Sequence, residues 1–102
     1  MTKKVLILPG DGIGQEVTAS AKEVLDYLVA EHNLDFAITY MDVGGTAYEK
    51  HGSPLPDDVL VEAKKSDAIL FGAVGAPKWD DLDWNNRPEQ ALLGLRKELE
   101  LF

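Results

Sequence analysis

The order of apolar and polar residues predicts alternating strands and helices in the first half of the chain. The apolar run from Lys4 to Leu8 stops at Pro9-Gly10, which predicts a short strand buried on both faces, as parallel strands commonly are. Between Gln15 and about His32 the apolar residues recur at helical spacing, which predicts an amphipathic helix. The alternation from Phe36 to Val43 predicts a second strand, which Gly44-Gly45 ends.

The second half of the chain repeats this order. The stretch "TAYEKHG" predicts a short helix that ends at Gly52, and another helix is expected from about Pro56, with two aspartates in its first turn and two lysines in its last. Ala68 to Phe71 predicts a third strand, and a long polar loop over residues 72–89 leads to a closing helix over residues 88–102. This alternation indicates an α/β fold with a parallel three-stranded sheet and right-handed crossovers.

Composition and charge narrow the class of protein. With 102 residues, the chain is long enough for one small domain. Its net charge of −8 disfavours nucleic acid and anionic membranes as partners, because both carry negative charge. The absence of cysteine excludes disulfides and thiolate metal sites. The apolar run near the N-terminus is too short for a signal peptide or a membrane span, so we expect a cytoplasmic protein.

The closing helix raises a separate expectation about length. Its apolar pattern runs into Leu101 and Phe102 with no glycine cap and no polar tail. Two large apolar residues would be unusual at a natural C-terminus. We therefore expect the chain to be the front piece of a longer protein.

Three glycines, Gly10, Gly12 and Gly14, follow the first predicted strand. Glycines between a buried strand and a helix commonly let the backbone approach an anion. However, the spacing is G-x-G-x-G rather than the G-x-G-x-x-G of dinucleotide sites, and no G-K-[ST] follows, which excludes a P-loop. Asp11 would repel a phosphate, whereas Asp42 could imitate the ribose-binding acid of a dinucleotide fold. The alternative is a sharp strand-to-helix turn that needs the positive φ of glycine.

The closing helix carries a second candidate site. Four residues at helical spacing share one face: Glu89, Leu92, Leu93 and Arg96. This face could bind a ligand with an alkyl branch beside a carboxylate, because leucine packs on branched carbon and arginine binds carboxylates through two parallel hydrogen bonds. The alternative is that Arg96 is solvated and that the large apolar residues of this helix are mostly core. Those residues are Leu92, Leu93, Leu95, Leu99 and Phe102.

Aromatic and histidine residues give weaker indications. Trp79 and Trp84 lie among acids and amides in the long loop, where they could stack on a flat ligand or pin the loop to its own domain. His32 and His51 have no carboxylate or second histidine at metal-ligand spacing, so we expect them to be surface residues.

Taken together, the motifs resemble a known family. The stretches "LPGDGIGQEV", "DVGGTAYEKHGSPLP", "AILFGAVGAPKWD" and "RPEQALLGLRKELELF" are similar to the N-terminal part of the 3-isopropylmalate dehydrogenases, in order and over essentially the whole chain. "PGDGIG" is shared with the related isocitrate and tartrate dehydrogenases. "LLGLR" is more specific, because isocitrate-directed relatives are expected to have a small polar residue where this chain has leucines. A leucine pair fits an isopropyl branch instead.

This resemblance implies the isopropylmalate dehydrogenase-like α/β fold, not the Rossmann fold, with residues 1–102 as the N-terminal part of a first domain that contacts cofactor and substrate. The adenosine end of NAD would border the glycine turn, where Ile13 can touch the adenine. The nicotinamide end would meet the long loop. The cofactor-binding residues implied in that loop are Ala76, Pro77, Lys78, Trp79, Asp80, Asp81, Leu82, Asp83, Trp84, Asn85, Asn86, Arg87, Pro88 and Glu89.

The resemblance also implies a reaction. The family oxidises the hydroxyl of 3-isopropylmalate by hydride transfer to NAD and then releases CO₂, with Mg²⁺ or Mn²⁺ as the metal, in leucine biosynthesis. By resemblance, Arg96 binds a substrate carboxylate, while Leu92 and Leu93 pack on the isopropyl group. Glu89 lies between substrate and nicotinamide. Ala76 stands where family members often have glycine, and its methyl group could restrict the loop.

By the same resemblance, important parts of the site lie outside this chain. The family's metal-binding aspartates and its catalytic lysine and tyrosine come later in the longer protein, and its active site is completed across a homodimer interface. We therefore expect no catalytic residue and no metal ligand in these 102 residues, and no activity from them alone.

Three other interpretations of the sequence are open. A phosphoacceptor receiver domain is also a small acidic α/β unit, but it needs an aspartate at the end of the third strand, where this chain has "FGAVGAP", and a pair of acids after the first, where only Asp11 follows. Composition does not separate the main interpretation from a non-catalytic ligand-binding module, or from a related decarboxylating dehydrogenase for another 3-substituted malate. A downstream lysine, tyrosine and aspartate would distinguish enzyme from module.

Overall fold

The structure, a computed structural model, describes residues 2–101. Three parallel strands form one sheet in the order β2-β1-β3. The central strand β1 (Lys3–Gly10) pairs with β2 (Phe36–Tyr40) on one edge and with β3 (Ala68–Ala73) on the other. The predicted α/β fold with a parallel three-stranded sheet is therefore confirmed.

The central strand is apolar on both faces because it has a neighbour on each edge and helices above and below. The register places Ile7 opposite Tyr40 of β2 and Leu70 of β3. Leu6, Ile7 and Leu8 are all fully buried. A continuous apolar run of this kind is what parallel strands covered on both faces require.

Helices connect the strands and cover the sheet: α1 (Ile13–His32), α2 (Gly44–His51), α3 (Asp57–Lys65) and α4 (Glu89–Glu98). The long loop before α4 contains two short 3₁₀ turns, Pro77–Trp79 and Trp84–Asn86. Asn33 ends α1 in the left-handed conformation, at φ 52°, and Gly52 ends α2 in the same conformation, at φ 80°. Asparagine and glycine adopt this conformation at low cost, which is why both helices stop where the sequence predicts. Within residues 2–101, no helix has the length and apolar character needed to cross a membrane.

The hydrophobic core lies on the side of the sheet that faces α2, α3 and α4. Leu6 and Leu8 point from β1 into this core. Their buried neighbours come from the start of α2, from α3 and from α4, and are Val43, Val59, Ala63, Ala91 and Leu95. The core therefore fixes the position of α4 through one face of the helix, and the opposite face does not pack into this core.

The second strand is shorter than its alternating pattern predicts. The strand ends at Tyr40, although Met41 still donates its N–H to the Ile7 carbonyl oxygen at 3.1 Å. Val43 then enters the core, fully buried, with an extended backbone directly before α2. The alternation of apolar residues thus continues past the strand because the connecting segment also has one buried side.

The closing helix also ends earlier than predicted, at Glu98 rather than near the end of the chain. Glu100 adopts φ 55°, and the Leu101 N–H donates to the Arg96 carbonyl oxygen at 2.8 Å. These two features form a Schellman motif in which glutamate occupies the position that glycine usually takes. Without glycine, the sequence carries no local signal for this end. Phe102, which was expected to continue the helix, lies outside the described residues.

Candidate functional site

The carboxyl ends of β1 and β3 bring the glycine turn and the long loop to the same edge of the sheet. Gly10 pairs with Ala73 in the register, and the Asp11 N–H donates to the Ala73 carbonyl oxygen at 2.7 Å. The first residues of α2 lie against the same turn. This edge therefore joins segments that are distant in sequence, as parallel sheets do.

Asp11 occupies the centre of this junction and is only 3% exposed. Its Oδ2 accepts hydrogen bonds from the N–H groups of Gly45 at 2.8 Å and Gly75 at 2.9 Å. Its Oδ1 accepts from the Thr46 N–H at 2.8 Å and from Thr46 Oγ1 at 2.7 Å. The carboxylate therefore binds groups of its own chain and does not face a phosphate.

The glycines form a sharp strand-to-helix turn, which is one of the two alternatives that the sequence predicts. Gly10 has φ 81° and Gly12 has φ 48°, both in the region that favours glycine. A Cβ on Gly10 would overlap the Ala73 carbonyl oxygen, whereas a Cβ on Gly12 would meet nothing within 4 Å. Gly14 is helical, but a Cβ there would overlap the Pro9 carbonyl oxygen. Backbone conformation and close approach thus account for all three glycines.

Asp42, the candidate ribose-binding acid, lies just beyond β2. Its Oδ2 is 3.1 Å from Nζ of Lys50, so the carboxylate already has a cationic partner within the chain. It borders an open depression of about 200 Å³ between the glycine turn and β2. That volume is smaller than the roughly 300 Å³ at which small-molecule pockets begin, so this depression alone does not make a nucleotide site.

The two faces of α4 differ in how much of their side chains is exposed to solvent. Ala91 is fully buried and Leu95 is 3% exposed, so these residues hold the helix against the core. On the other side, Leu92 is 40% exposed and Leu93 is 42% exposed, and Arg96 is exposed as well. The alternative of a mostly apolar core is thus correct for Leu95 but not for the leucine pair.

The exposed side of α4 also has an unusual charge arrangement. Within residues 2–101, no carboxylate lies within 4.0 Å of the Arg96 guanidinium. Glu89 begins the helix and is half-buried. A Cβ built on Gly75 would lie 3.5 Å from Glu89 Oε1, so the carboxylate rests beside the start of the long loop. The face therefore presents a carboxylate, an apolar patch and a guanidinium one turn after another.

The two tryptophans of the long loop have different environments. Trp79 is 8% exposed, and a Cβ on Gly45 would overlap its ring, so the indole packs directly on the backbone of α2. Lys78 Nζ lies 4.5 Å from the ring centroid of Trp79 and 2.7 Å from Glu49 Oε1. Trp79 thus holds the loop against α2, whereas Trp84 is 58% exposed and is accessible to a planar ligand.

The second half of the loop is closed by an arginine side chain. Arg87 donates from Nη2 to the carbonyl oxygen of Asp80, which links the residue after the first 3₁₀ turn to the residue after the second. Arg87 therefore contributes to loop shape as well as charge. The loop residues and Glu89 stay predicted cofactor contacts.

Ile13 begins α1 beside the glycine turn and is 61% exposed. A large apolar side chain at this position is available to a planar ligand, which is consistent with its predicted contact to adenine. His32 and His51 are both exposed, as expected. Across residues 2–101, no group of three or more histidine, aspartate or glutamate side chains is placed to hold a metal ion.

The partners of Asp11 could not be identified from the sequence. Gly45 and Gly75 lie 34 and 64 residues away along the chain, and local patterns carry no information on such contacts. One signal was available: an aspartate that directly follows a buried strand and lies between two glycines needs donors if it is buried. That signal predicts that a buried Asp11 accepts hydrogen bonds, but it does not predict which groups donate them.

Comparison with known proteins identifies relatives of this chain. Residues 4–102 match the family model described as isocitrate/isopropylmalate dehydrogenase. The 3-isopropylmalate dehydrogenase of Hydrogenovibrio crunogenus is 57% identical over 102 residues, which is 100% of this chain and 29% of that protein. That of Xanthomonas axonopodis pv. citri is 53% identical, with the same coverage of 100% and 29%. The chain therefore spans about 29% of the length of the curated relatives it matches.

Solved structures have the same fold. A β-decarboxylating dehydrogenase from Thermococcus kodakarensis superimposes with a TM-score of 0.75 at 35% identity, and the match covers 96% of this chain and 27% of that one. The isocitrate dehydrogenase from Methylococcus capsulatus gives a TM-score of 0.64 at 28% identity, covering 74% of this chain and 21% of that one. These likenesses concern the part of each structure that corresponds to this chain.

Proposed function

Because the chain belongs to the isocitrate/isopropylmalate dehydrogenase family, we propose that it is the N-terminal part of an oxidoreductase that uses NAD to oxidise and decarboxylate 3-isopropylmalate in leucine biosynthesis. The observation that carries this proposal is the exposed face of α4. There, Leu92 and Leu93 are 40% and 42% exposed beside the guanidinium of Arg96. Exposed leucines beside an arginine that has no carboxylate partner within residues 2–101 are suited to a ligand that has an alkyl branch and a carboxylate.

The order of groups along α4 gives each residue a role. Arg96 binds a substrate carboxylate, because a guanidinium offers two parallel N–H donors to two oxygens. Leu92 and Leu93 pack on the isopropyl carbons and exclude water from them. Glu89 lies one turn earlier, where it can contact both the substrate and the nicotinamide ring. The helix thus orients the substrate, and Ala91 and Leu95 keep the helix itself in place.

The described residues fit one part of a dinucleotide site. Ile13 and Trp84 are 61% and 58% exposed and can cover flat rings, one near the glycine turn and one in the long loop. NAD supplies the hydride acceptor when bound. The contribution of this chain is to bind the two ends of the cofactor and to hold Glu89 near the nicotinamide.

A metal site does not fit the described residues by themselves. Residues 2–101 contain no group of three suitable ligands, and the nearest acid to the glycine turn, Asp11, has all its hydrogen-bonding capacity occupied by the chain. We propose that the ligands for Mg²⁺ or Mn²⁺ come from the part of the longer protein that this chain does not span. We further propose a cytoplasmic homodimer, as the resemblance implies.

The experiment uses the full-length enzyme and follows NADH formation with 3-isopropylmalate, isocitrate and malate. Wild type should prefer 3-isopropylmalate. Arg96→Lys should lower kcat/KM for 3-isopropylmalate about 10- to 100-fold, because an ammonium cannot replace two parallel charge-assisted hydrogen bonds worth about 1.5–3 kcal/mol. The KM for NAD should change much less.

Lys97→Arg is the matched control, since it exchanges the cation at the next position of the same helix. It should leave kcat/KM for 3-isopropylmalate unchanged. An Arg96→Lys enzyme with wild-type kcat/KM would remove Arg96 from the site. A wild-type preference for isocitrate would indicate the related dehydrogenase instead, and binding without turnover would indicate a ligand-binding module.

A further inference from the structure

Asp11 is a buried carboxylate that the proposed reaction does not use. It lies at the junction of the glycine turn, the start of α2 and the start of the long loop. Within residues 2–101, no lysine, arginine or histidine nitrogen lies within 4.0 Å of it. Its donors are backbone amides and one hydroxyl, so its role is to hold backbone rather than to pair with a cation.

The contact with Gly75 connects Asp11 to the candidate substrate helix. The Gly75 N–H donates to Asp11 Oδ2 at 2.9 Å, and a Cβ added to Gly75 would lie 3.5 Å from Glu89 Oε1, so the Glu89 carboxylate lies close to this residue. Gly75 has φ 108°, a conformation outside the regions that other residues favour. Glycine adopts this conformation without steric cost, and it lets Gly75 donate its N–H to the Asp11 carboxylate.

Building on the proposed function, we propose that Asp11 is a positioning residue for the dehydrogenase reaction. It fixes the Gly75 backbone, and Gly75 in turn sets where the Glu89 carboxylate lies at the start of α4. The same carboxylate holds Gly45, on whose backbone the Trp79 ring packs, so both ends of the first half of the loop depend on it. Asp11 thereby places the loop and Glu89 as a unit.

The chemistry of an amide substitution makes this testable. Asparagine has nearly the same shape as aspartate, but one of its terminal atoms is an NH₂ donor. Either orientation of the amide would point that NH₂ at N–H groups that now donate to the carboxylate. At least one buried donor would lose its acceptor. The loss of one hydrogen bond to a charged group corresponds to about a 10- to 100-fold change in the equilibrium constant for keeping the bonded groups in place.

The experiment compares Asp11→Asn with Asp26→Asn in the full-length enzyme. Asp26 is an exposed acid of α1 paired with Lys22, so its variant makes the same chemical change far from the junction. For Asp11→Asn we expect kcat/KM for 3-isopropylmalate, expressed per folded enzyme after gel filtration, to fall at least about tenfold. We also expect faster hydrogen exchange in peptides that contain Gly45 and Gly75. Asp26→Asn should match wild type in both measurements.

A merely structural role gives a different result. It would lower the yield or the unfolding temperature of Asp11→Asn while kcat and KM per folded enzyme stay at wild-type values, and this outcome would overturn the proposal. Unchanged hydrogen exchange at Gly75 would overturn it as well. An inactive wild type that turns over none of the three acids would instead contradict the proposed function, and the hydrogen-exchange comparison would still test the contact.

Thr46 provides a second test should Asp11→Asn not fold. Thr46→Val removes the hydroxyl that donates to Asp11 Oδ1 at 2.7 Å and lies 3.4 Å from the Gly10 carbonyl oxygen, and it keeps all backbone donors, whereas Thr46→Ser keeps the hydroxyl. We expect Thr46→Val to lower kcat/KM by about threefold to tenfold, less than Asp11→Asn because three of the four donors to the carboxylate remain, and Thr46→Ser to restore it. Equal kcat/KM for the two variants would overturn the proposal.

Discussion

The glycine turn and the closing helix show opposite mismatches between residue type and exposure. In the turn, the charged side chain of Asp11 is only 3% exposed. In the helix, the apolar side chains of Leu92 and Leu93 are 40% and 42% exposed. Buried polar groups and exposed apolar groups are the informative exceptions to the usual arrangement, and the two regions differ in whether the chain itself explains them.

For the turn, the explanation is complete within the chain. Four donors satisfy the Asp11 carboxylate, so its burial serves the fold and the position of the long loop. For the helix, nothing within residues 2–101 pairs with Arg96, and the leucine pair keeps much of its surface in water. The first region is a structural junction, and the second is a surface suited to a ligand.

The largest expected effect comes from breaking the junction at Gly10. Gly10→Ala adds a Cβ that overlaps the Ala73 carbonyl oxygen, and β1 and β3 cannot separate there without losing their pairing. The positive φ adds strain of about 1–3 kcal/mol. We expect the full-length enzyme with Gly10→Ala to be recovered only as insoluble or unfolded protein, measured by soluble yield and circular dichroism.

Gly12→Ala is the matched control for this variant. Gly12 also has positive φ, at 48°, but its Cβ would meet nothing within 4 Å. Only the backbone strain of about 1–3 kcal/mol remains, so Gly12→Ala should fold with a lowered midpoint of urea unfolding. If the two variants lost the same stability, close approach at Gly10 would not be what makes the turn sensitive.

The next comparison separates the two faces of α4. Leu95→Ala should destabilise the full-length enzyme by about 2–5 kcal/mol, because it leaves a cavity in the core. The combined change Leu92→Ser with Leu93→Asn should cost no more than about 1 kcal/mol at each site, because both side chains are already partly in water. Urea unfolding of the two variants measures this difference.

For substrate specificity we expect the opposite order: the leucine-pair variant should change it more than Leu95→Ala does. The leucine replacements should lower the ratio of kcat/KM for 3-isopropylmalate to that for isocitrate at least about tenfold, since each lost methylene contact in such a pocket is worth about 1–3 kcal/mol. Leu95→Ala should leave the ratio near wild type, measured on folded enzyme. A constant ratio with a large loss of stability in the leucine pair would show that these residues are core after all.

The sequence predicted the elements better than their ends and the turn's shape better than its contacts. Periodicity identified β1 and α1, and asparagine and glycine signals located the ends of α1 and α2 at Asn33 and Gly52. The end of α4 was missed because Glu100 takes the left-handed position without a glycine signal. Contacts such as that between Asp11 and Gly75 span 64 residues, and only the folded sheet edge brings the two together.

For the candidate site, too, the sequence predicted the local arrangement of residues but not their place in the fold. Helical spacing alone placed Glu89, Leu92, Leu93 and Arg96 on one face, and α4 does carry them together. Spacing could not decide whether that face points into the core, because both faces of α4 contain leucine. The decision follows from Ala91 and Leu95, which fill the core next to Leu6 and Leu8 and leave the leucine pair outside.

The smallest expected effect concerns Lys78, in the loop that connects the two regions. Its Nζ is 2.7 Å from Glu49 Oε1, but the side chains remain 61% and 47% exposed. Exposed ion pairs of this kind contribute about 0–1 kcal/mol and weaken with salt. A double-mutant cycle of Lys78→Met and Glu49→Gln should therefore give a coupling free energy below about 1 kcal/mol, and raising the salt concentration in the urea unfolding assay should reduce it further. The loop is instead held mainly by the buried Trp79 ring on the Gly45 backbone and by the Gly75 N–H on Asp11. Lys78 adds only its exposed ion pair and its contact with the Trp79 ring. A larger coupling that persists in high salt would mean that the surface ion pair, rather than the buried junction, positions the loop.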